Sequence, residues 1–316
     1  MSTSRPDATP AICILMGLFN GAPHLREQLD SFVAQTDPDW GLVVSDDGST
    51  DAGPAVLEAF RAEHPDRPVT MIPGPCRGFA RNFLTLLGSV PPGARYAALS
   101  DQDDVWLPEK LARGRAALDR VAPDRPALYC AATLVCHEDL RPIGRSIPFR
   151  RPPDFRNALV QSIGGGNTMM LNRAALDLAA GLAVGVPDPV AHDWWLYQVI
   201  TGTGGVILRD PEPVLMYRQH GGNLIGANIT PRNRLTRILA VAQGRFRRWS
   251  RISLASISPL ADRLTPEAQE VLRHYRVAHV APRAATRIRA LRASGVYRQS
   301  RAGTLALHVA CLLRRL

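Results

Sequence analysis

Apolar residues run unbroken from Ala11 to Leu18, and a segment apolar on both faces predicts a buried strand of a parallel sheet. From Ala22 to Ala34 the apolar positions Leu25, Leu29, Phe32 and Val33 follow at spacings of four, three and one, a helical pattern. Shorter apolar runs at 42–45, 69–72 and 96–100 predict further strands, and 53–63 and 79–88 predict the helices between them. Strand and helix alternating at this spacing imply an α/β fold with a doubly wound, mostly parallel, Rossmann-like sheet. Ligands of such sheets bind outside the carboxyl ends of the strands. Beyond Lys110 the pattern loosens. It predicts helices at 109–121, 173–181 and 192–201, strands at 127–135, 167–171, 205–208 and 213–218, and a Pro/Arg-rich loop at 148–156.

A different pattern begins near Gly226. Across 234–252, Leu235, Ile238, Leu239, Ala242, Phe246 and Trp249 share one helical face, with Arg234, Arg237, Arg245 and Arg248 largely elsewhere. Leu305, Val309, Leu312 and Leu313 repeat the theme between Arg301 and Arg314-Arg315. Charge sharpens the boundary. Residues 229–316 hold 18 Arg and 3 acids, a balance of +15, whereas the first 228 residues hold 20 basic and 25 acidic groups, a balance of −5. The segment reads either as interfacial helices on anionic lipid or as helices packed on protein with a solvated basic face. No aromatic-interleaved platform accompanies the charge, so nucleic acid is not an expected partner.

The candidate chemistry falls where loops should leave strand ends. The strand from Tyr96 ends in Ser100-Asp101-Gln102-Asp103-Asp104, three carboxylates within four residues. Such crowding costs free energy that a divalent cation relieves. Asp-x-Asp at a strand's carboxyl end is thus a candidate Mg²⁺ or Mn²⁺ site for a nucleotide-activated substrate. The plainer alternative is a solvated acidic turn before the next helix. After the first strand comes Gly17-Leu18-Phe19-Asn20-Gly21, where Phe19 offers a flat face to a base. It is neither a Walker A loop nor a G-x-G-x-x-G fingerprint, which argues against an NTPase or a nicotinamide enzyme. After the second strand comes Asp46-Asp47-Gly48-Ser49-Thr50-Asp51. Ser49 or Asp51 can cap the following helix, and an Asp here can accept a pyrimidine imide N–H.

These runs, with Gly78-Phe79-Ala80-Arg81-Asn82, resemble glycosyltransferase family 2 of the GT-A fold over residues 11 to about 228. Within it, Gly166 to Arg173, His192-Asp193-Trp194-Trp195 and Tyr217 to Asn223 are most similar to bacterial polysaccharide rhamnosyltransferases. The resemblance implies that Phe19 stacks on the nucleobase and Asp47 bonds its imide. It places Asn20, Gly48, Arg81, Asn82, Asp101 and Gln102 around the donor. Asp103, with Asp101 and His220, would hold the metal, and Asp193 would be the catalytic base. Gly165, Gly166, Asn167, His192 and Trp194 would lie at the acceptor. From the residues alone, Gly164 to Asn167 equally suits a hairpin turn, Asp193 a helix cap, and Trp194 and Trp195 a sugar platform or core.

The expectation is a metal-dependent inverting glycosyltransferase moving L-rhamnose from dTDP-rhamnose to a lipid-linked glycan. A UDP-sugar donor and a non-catalytic nucleotide-sugar-binding module are the alternatives. A sugar nucleotidyltransferase would need a G-x-G-x-R run after the first strand, which is absent. Residues 1–228 would form the catalytic domain, with a nucleotide half at about 11–110 and an acceptor half at about 111–228. Residues 229–316 would form a helical basic extension. Met1 to Pro10 lacks the order of a secretion signal, and the five cysteines show no paired spacing. The expected place is therefore the cytoplasmic face of the membrane, with a homo-oligomer left open.

Overall fold

The unbroken apolar runs of the first hundred residues do become strands: β1 (Ile12–Leu18), β2 (Trp40–Asp46), β3 (Val69–Pro73) and β4 (Tyr96–Ser100). They alternate with α1 (Ala22–Val33), α2 (Gly53–Glu63) and α3 (Phe79–Leu87). The structure, a computed structural model, describes residues 9–219 and 245–316. The four strands pair in parallel in the order β3-β2-β1-β4, so the chain crosses to opposite sides of β1. Leu18 pairs with Asp46, and Met16 with Ser100. The loops after β1, β2 and β4 therefore leave the same edge, at the topological switch point where doubly wound sheets bind ligands.

Beyond β4 the sheet turns antiparallel. It continues through β5 (Val105–Trp106), β6 (Ala127–Cys136), β7 (Pro142–Arg145), β8 (Met170–Asn172) and β9 (Val206–Arg218). β8 pairs with β4 and β6, and β5 pairs with β9, all antiparallel. The parallel pairs β1–β2, β1–β4 and β2–β3 all lie in the nucleotide half. Three details depart from the sequence pattern. Residues 166–168 form a 3₁₀ turn, and the strand expected at 167–171 starts only at Met170. The strands expected at 205–208 and 213–218 are one. Asp210 lies between them, held by Arg113 (2.7 Å) and the Tyr129 hydroxyl (2.8 Å). β5, at two residues, is too short to show a period.

The remaining helices are α4 (Lys110–Leu118), α5 (Phe155–Ala158), α6 (Arg173–Ala183), α7 (His192–Gly202), α8 (Arg245–Ile257), α9 (Pro266–Val280), α10 (Ala284–Ser294) and α11 (Arg301–Leu312). Contacts divide the chain into two units. The first, with the sheet, comprises Met1–Ser146, Gly164–Val184 and Leu208–Ala227. The second comprises Ile147–Ile163, Gly185–Ile207 and Asn228–Leu316. This differs from a single break at 228, because α5 and α7 group with the later helices. The reason is composition. α7 is apolar nearly all round and is buried among α5 and α8.

α8 explains part of the basic segment. Phe246, Ser250, Ser253 and Ile257 are buried while Arg247, Arg248 and Arg251 are exposed. Gln198 of α7 donates to the Ser253 hydroxyl at 2.6 Å, and the Trp195 indole to the Ser256 carbonyl at 3.3 Å. The aromatic face expected at a lipid surface is, at Phe246, packing inside the second unit. The positions expected to share that face before residue 245 lie outside the described residues. No helix among the described residues is long and apolar enough to cross a membrane.

Candidate active site

The loop after β1 presents Phe19 to solvent, 56% exposed, on a backbone held from both sides. Gln102 accepts the Phe19 amide at 2.7 Å and donates to its carbonyl at 2.9 Å. Gly21 makes room for this: a Cβ there would sit 2.4 Å from the Gln102 carboxamide carbon. Asn20 takes a left-handed φ of 50°, accepts the Thr50 amide at 2.8 Å, and donates its own amide to Ser49 Oγ at 3.0 Å. Asp51 accepts the amides of Ala22 (2.8 Å) and Gly53 (2.9 Å), at the starts of α1 and α2. The polar residues of these motifs thus tie three strand-end loops into one frame. Gln102 and Asn20, expected around the donor, use their side chains on that frame.

Asp47, 7% exposed, accepts the backbone amides of Cys76 at 2.6 Å and Gly78 at 2.8 Å. Gly78 and Gly48 both take positive φ, 85° and 93°, which suits glycine at each. An ionised carboxylate has about four acceptor positions, so two amides leave room for a third donor. Asn82 is turned inward. It accepts from Ser45 Oγ at 2.5 Å, donates to the Ser45 carbonyl at 2.9 Å, and is buried. It braces β2 from below rather than reaching a donor. Arg81, half-buried, donates to the Ala183 carbonyl at 3.1 Å.

At the end of β4, Asp101, Asp103 and Asp104 bring one carboxylate oxygen each within 4.8 Å of one another. They differ in surroundings. Asp104 is fully buried, accepting from Asn167 Nδ2 at 2.5 Å and from the Arg218 amide at 3.2 Å. Burial, followed by the charge of Asp103, pushes its carboxyl up to about 7, against the two hydrogen bonds and the cation of Lys110. Asp101 and Asp103 are half-buried. All-oxygen donors of this kind suit a hard cation such as Mg²⁺ or Mn²⁺, and the pair at the rim, backed by an anchored third carboxylate, fits one.

Three residues behind the cluster were not among the expected site. Lys110, the only lysine of the chain, is buried with Nζ 3.2 Å from the Trp106 ring centre, and it donates to the Asn167 carbonyl at 2.5 Å. Burial pushes its ammonium well below the usual range, while Asp104 and Asp101 pull it back up. Arg218, also buried, donates through Nε to the Asp103 carbonyl at 3.0 Å and reaches the Glu27 carboxylate and Glu138 carbonyl. Burial and all three aspartates push the Tyr217 hydroxyl up. The pairing of Val105 with Met216 brings this end of β9 to the cluster. A lone lysine among arginines was the one sequence signal for this layer. His220, two residues past Arg218, lies outside the described residues.

Asn167 therefore serves the acid cluster, and a Cβ at Gly165 would lie 2.6 Å from Asn167 Oδ1, so a side chain there would press on it. Gly166 and Asn167 are buried, and Gly165 is exposed. In the second unit, Asp193 lies half-buried in the first turn of α7, its Oδ1 accepting the Trp194 amide at 2.6 Å. The cap position is Ala191, so Asp193 is not the cap. Its neighbours differ from the expected acceptor surface. Trp194 is 7% exposed, donates to the Ala158 carbonyl at 2.6 Å and meets Trp249 edge-on at 6.4 Å. His192 is buried, and burial pushes its imidazole down to about 3. Both residues, like Trp195, are core, because their apolar surroundings within the second unit cover them.

The first unit thus presents an exposed aromatic, a carboxylate held by two backbone amides and an anchored acidic loop at one sheet edge. That arrangement can take a base, a ribose and a diphosphate in sequence. The model of the family described as glycosyl transferase family 2 matches residues 13–177. The dTDP-rhamnosyl transferase RfbG of Shigella flexneri is 26% identical over 257 residues, covering 78% of this chain and 85% of that protein. Among solved structures, TarS 1–349 of S. aureus in complex with UDP-GlcNAc aligns over 90% of this chain and 92% of its own, with a TM-score of 0.55 at 14% identity. The mannosyltransferase PcManGT from Pyrobaculum calidifontis, in complex with GDP-Man and Mn²⁺, aligns over 92% and 87% with a TM-score of 0.50 at 19% identity.

Proposed function

The chain belongs to glycosyl transferase family 2 and has the GT-A fold, and from that premise we propose that it moves L-rhamnose from dTDP-rhamnose onto a lipid-linked polysaccharide acceptor, with inversion. That it is a glycosyltransferase follows from the family; donor, acceptor and metal are the proposal. The observation that carries it is the sheet edge itself, where Phe19 is exposed, Asp47 keeps acceptor capacity, and Asp101 and Asp103 stand at the rim. The rhamnosyl donor is supported by the name of the Shigella flexneri relative.

In this reading Phe19 stacks on the pyrimidine and Asp47 accepts its imide N–H. Asp101 meets the ribose or diphosphate, beside Gly48 and Arg81. Asp103 and Asp101 would hold a divalent cation, with His220 as a further ligand. When bound, the cation would neutralise charge developing on the leaving diphosphate. Asp193 acts as general base. As the acceptor hydroxyl attacks C1, the bond from C1 to the diphosphate oxygen breaks, dTDP leaves, and the hydroxyl proton passes to the Asp193 carboxylate. Gly165 is the one exposed member of the expected acceptor set. A lipid-linked acceptor sets the enzyme at the cytoplasmic face of the membrane, bound peripherally.

Thymine and uracil share the imide that Asp47 would read, so a UDP-sugar donor is the competing reading, favoured by the UDP-GlcNAc complex of the S. aureus neighbour. Thermal-shift measurements with dTDP-rhamnose, UDP-sugars and GDP-mannose, each with Mn²⁺, separate them. The largest shift is expected with dTDP-rhamnose. A larger shift with a UDP-sugar would replace it as donor.

A further inference from the structure

The helix α11 has two faces of unlike fate. Leu307, Ala310 and Cys311 are buried, and the buried Arg287 donates to the carbonyls of Cys311 (3.0 Å) and Leu312 (2.8 Å) at its end. Ser300 caps its start, accepting the Gly303 amide at 3.0 Å. The helix is therefore fixed at both ends. Its other face presents Leu305, Val309, Leu312 and Leu313, 66%, 49%, 53% and 58% exposed. Their spacings of four, three and one make one continuous stripe. From 281 to 316 the chain has eight arginines and no carboxylate side chain. Arg283, Arg289, Arg292, Arg301, Arg314 and Arg315 among them are exposed.

We propose that the Leu305–Val309–Leu312–Leu313 stripe is a docking surface for anionic lipid, entering the headgroup boundary while the surrounding arginines pair with phosphates. The charge pattern selects this occupant. A second copy of the chain seated on the same face would bring two all-arginine segments together with no carboxylate between them. An anionic bilayer answers both the apolar stripe and the charge. Phe246, by contrast, is buried inside the second unit, so α11 and not α8 carries the contact. The inference deepens, and rests on, the reading of a lipid-linked acceptor.

The test is co-sedimentation of the full chain with phosphatidylcholine vesicles and with vesicles also containing phosphatidylglycerol, at low and high salt. Wild-type protein is expected to pellet with the anionic vesicles and to weaken as salt screens the arginines. The variant Leu305→Ser/Val309→Ser/Leu312→Ser should bind at least about tenfold more weakly, with unchanged melting temperature, since the three side chains are exposed. Equal binding by the variant, or indifference to lipid charge, would overturn the proposal. So would a wild-type dimer in sedimentation velocity that the variant converts to monomer. Donor thermal shifts on the same samples keep the two readings apart. Vesicle binding without donor binding would fault the glycosyl-transfer reading alone, and donor binding without vesicle binding would fault this one alone.

Discussion

Gln102 holds Phe19 from both sides of its backbone, accepting its amide at 2.7 Å and donating to its carbonyl at 2.9 Å, while the Phe19 ring stays exposed. The residue between Asp101 and Asp103 of the acidic loop thereby fixes the aromatic of a different strand end. Such a clamp removes conformational freedom from the ring's attachment before any base arrives.

Phe19→Ala should weaken dTDP binding by about 1–3 kcal/mol, the worth of stacking one base on an aromatic ring. Gln102→Ala should lose about 1 kcal/mol by releasing the clamp, with the ring still present. Calorimetric titration of dTDP into each variant checks both. Unchanged affinity in Phe19→Ala would remove Phe19 from the base site.

Asn167 is the side-chain partner of buried Asp104, so Asn167→Ala leaves a carboxylate short of a donor in a dry place. The expected cost is about 1–3 kcal/mol of stability, read from urea unfolding, together with weaker Mn²⁺ binding as the acidic loop loosens. A variant as stable as wild type, with the same Mn²⁺ affinity, would show that the layer behind the cluster does not position it.

His192 gives a pH signature. Burial disfavours the imidazolium and pushes its pKa from the ordinary value of about 6.5 down to about 3. The unfolded chain therefore binds the extra proton between these values. Stability is fully present above pH 6.5 and falls as the pH drops toward 3, by about 1.4 kcal/mol per pH unit from this group. Burial lowers His279 as well, which adds in the same direction. Urea unfolding from pH 7.5 to 4.5 should show a shallower loss in His192→Leu than in wild type. Parallel curves would mean that His192 is not the source.

Asp193→Asn keeps the size of the side chain and cannot take the acceptor proton. Turnover should fall by roughly 10²–10⁴-fold, with dTDP-sugar affinity unchanged. An equal loss of donor affinity would move Asp193 out of the base role.

Much of the sheet edge was legible in the sequence because it is built from strand-end runs. Apolar continuity located β1, β2 and β4, and the carboxylates that follow them are local in the chain. What was not legible depends on contacts far apart in sequence. Asp104 and Arg218 are 114 residues apart, and Gln102 and Phe19 are 83 apart. No period reports such pairs. The same limit explains Trp194 and Asn82. Motif spacing said that they mattered, and only packing says that Trp194 meets Trp249 and that Asn82 binds Ser45 beneath the site.

The account turns on Asp103 as the residue that couples nucleotide sugar to cation. The most direct measurement is hydrolysis of dTDP-rhamnose, with water taking the rhamnosyl group in place of the acceptor and dTDP released, by wild-type protein and by Asp103→Asn, with Mn²⁺ and after chelation. Release is expected from the wild type with Mn²⁺ alone, and its loss is expected on chelation and in the variant, whose melting temperature should match or slightly exceed wild type. Release at the wild-type rate by Asp103→Asn, or undiminished release after chelation, would contradict the account.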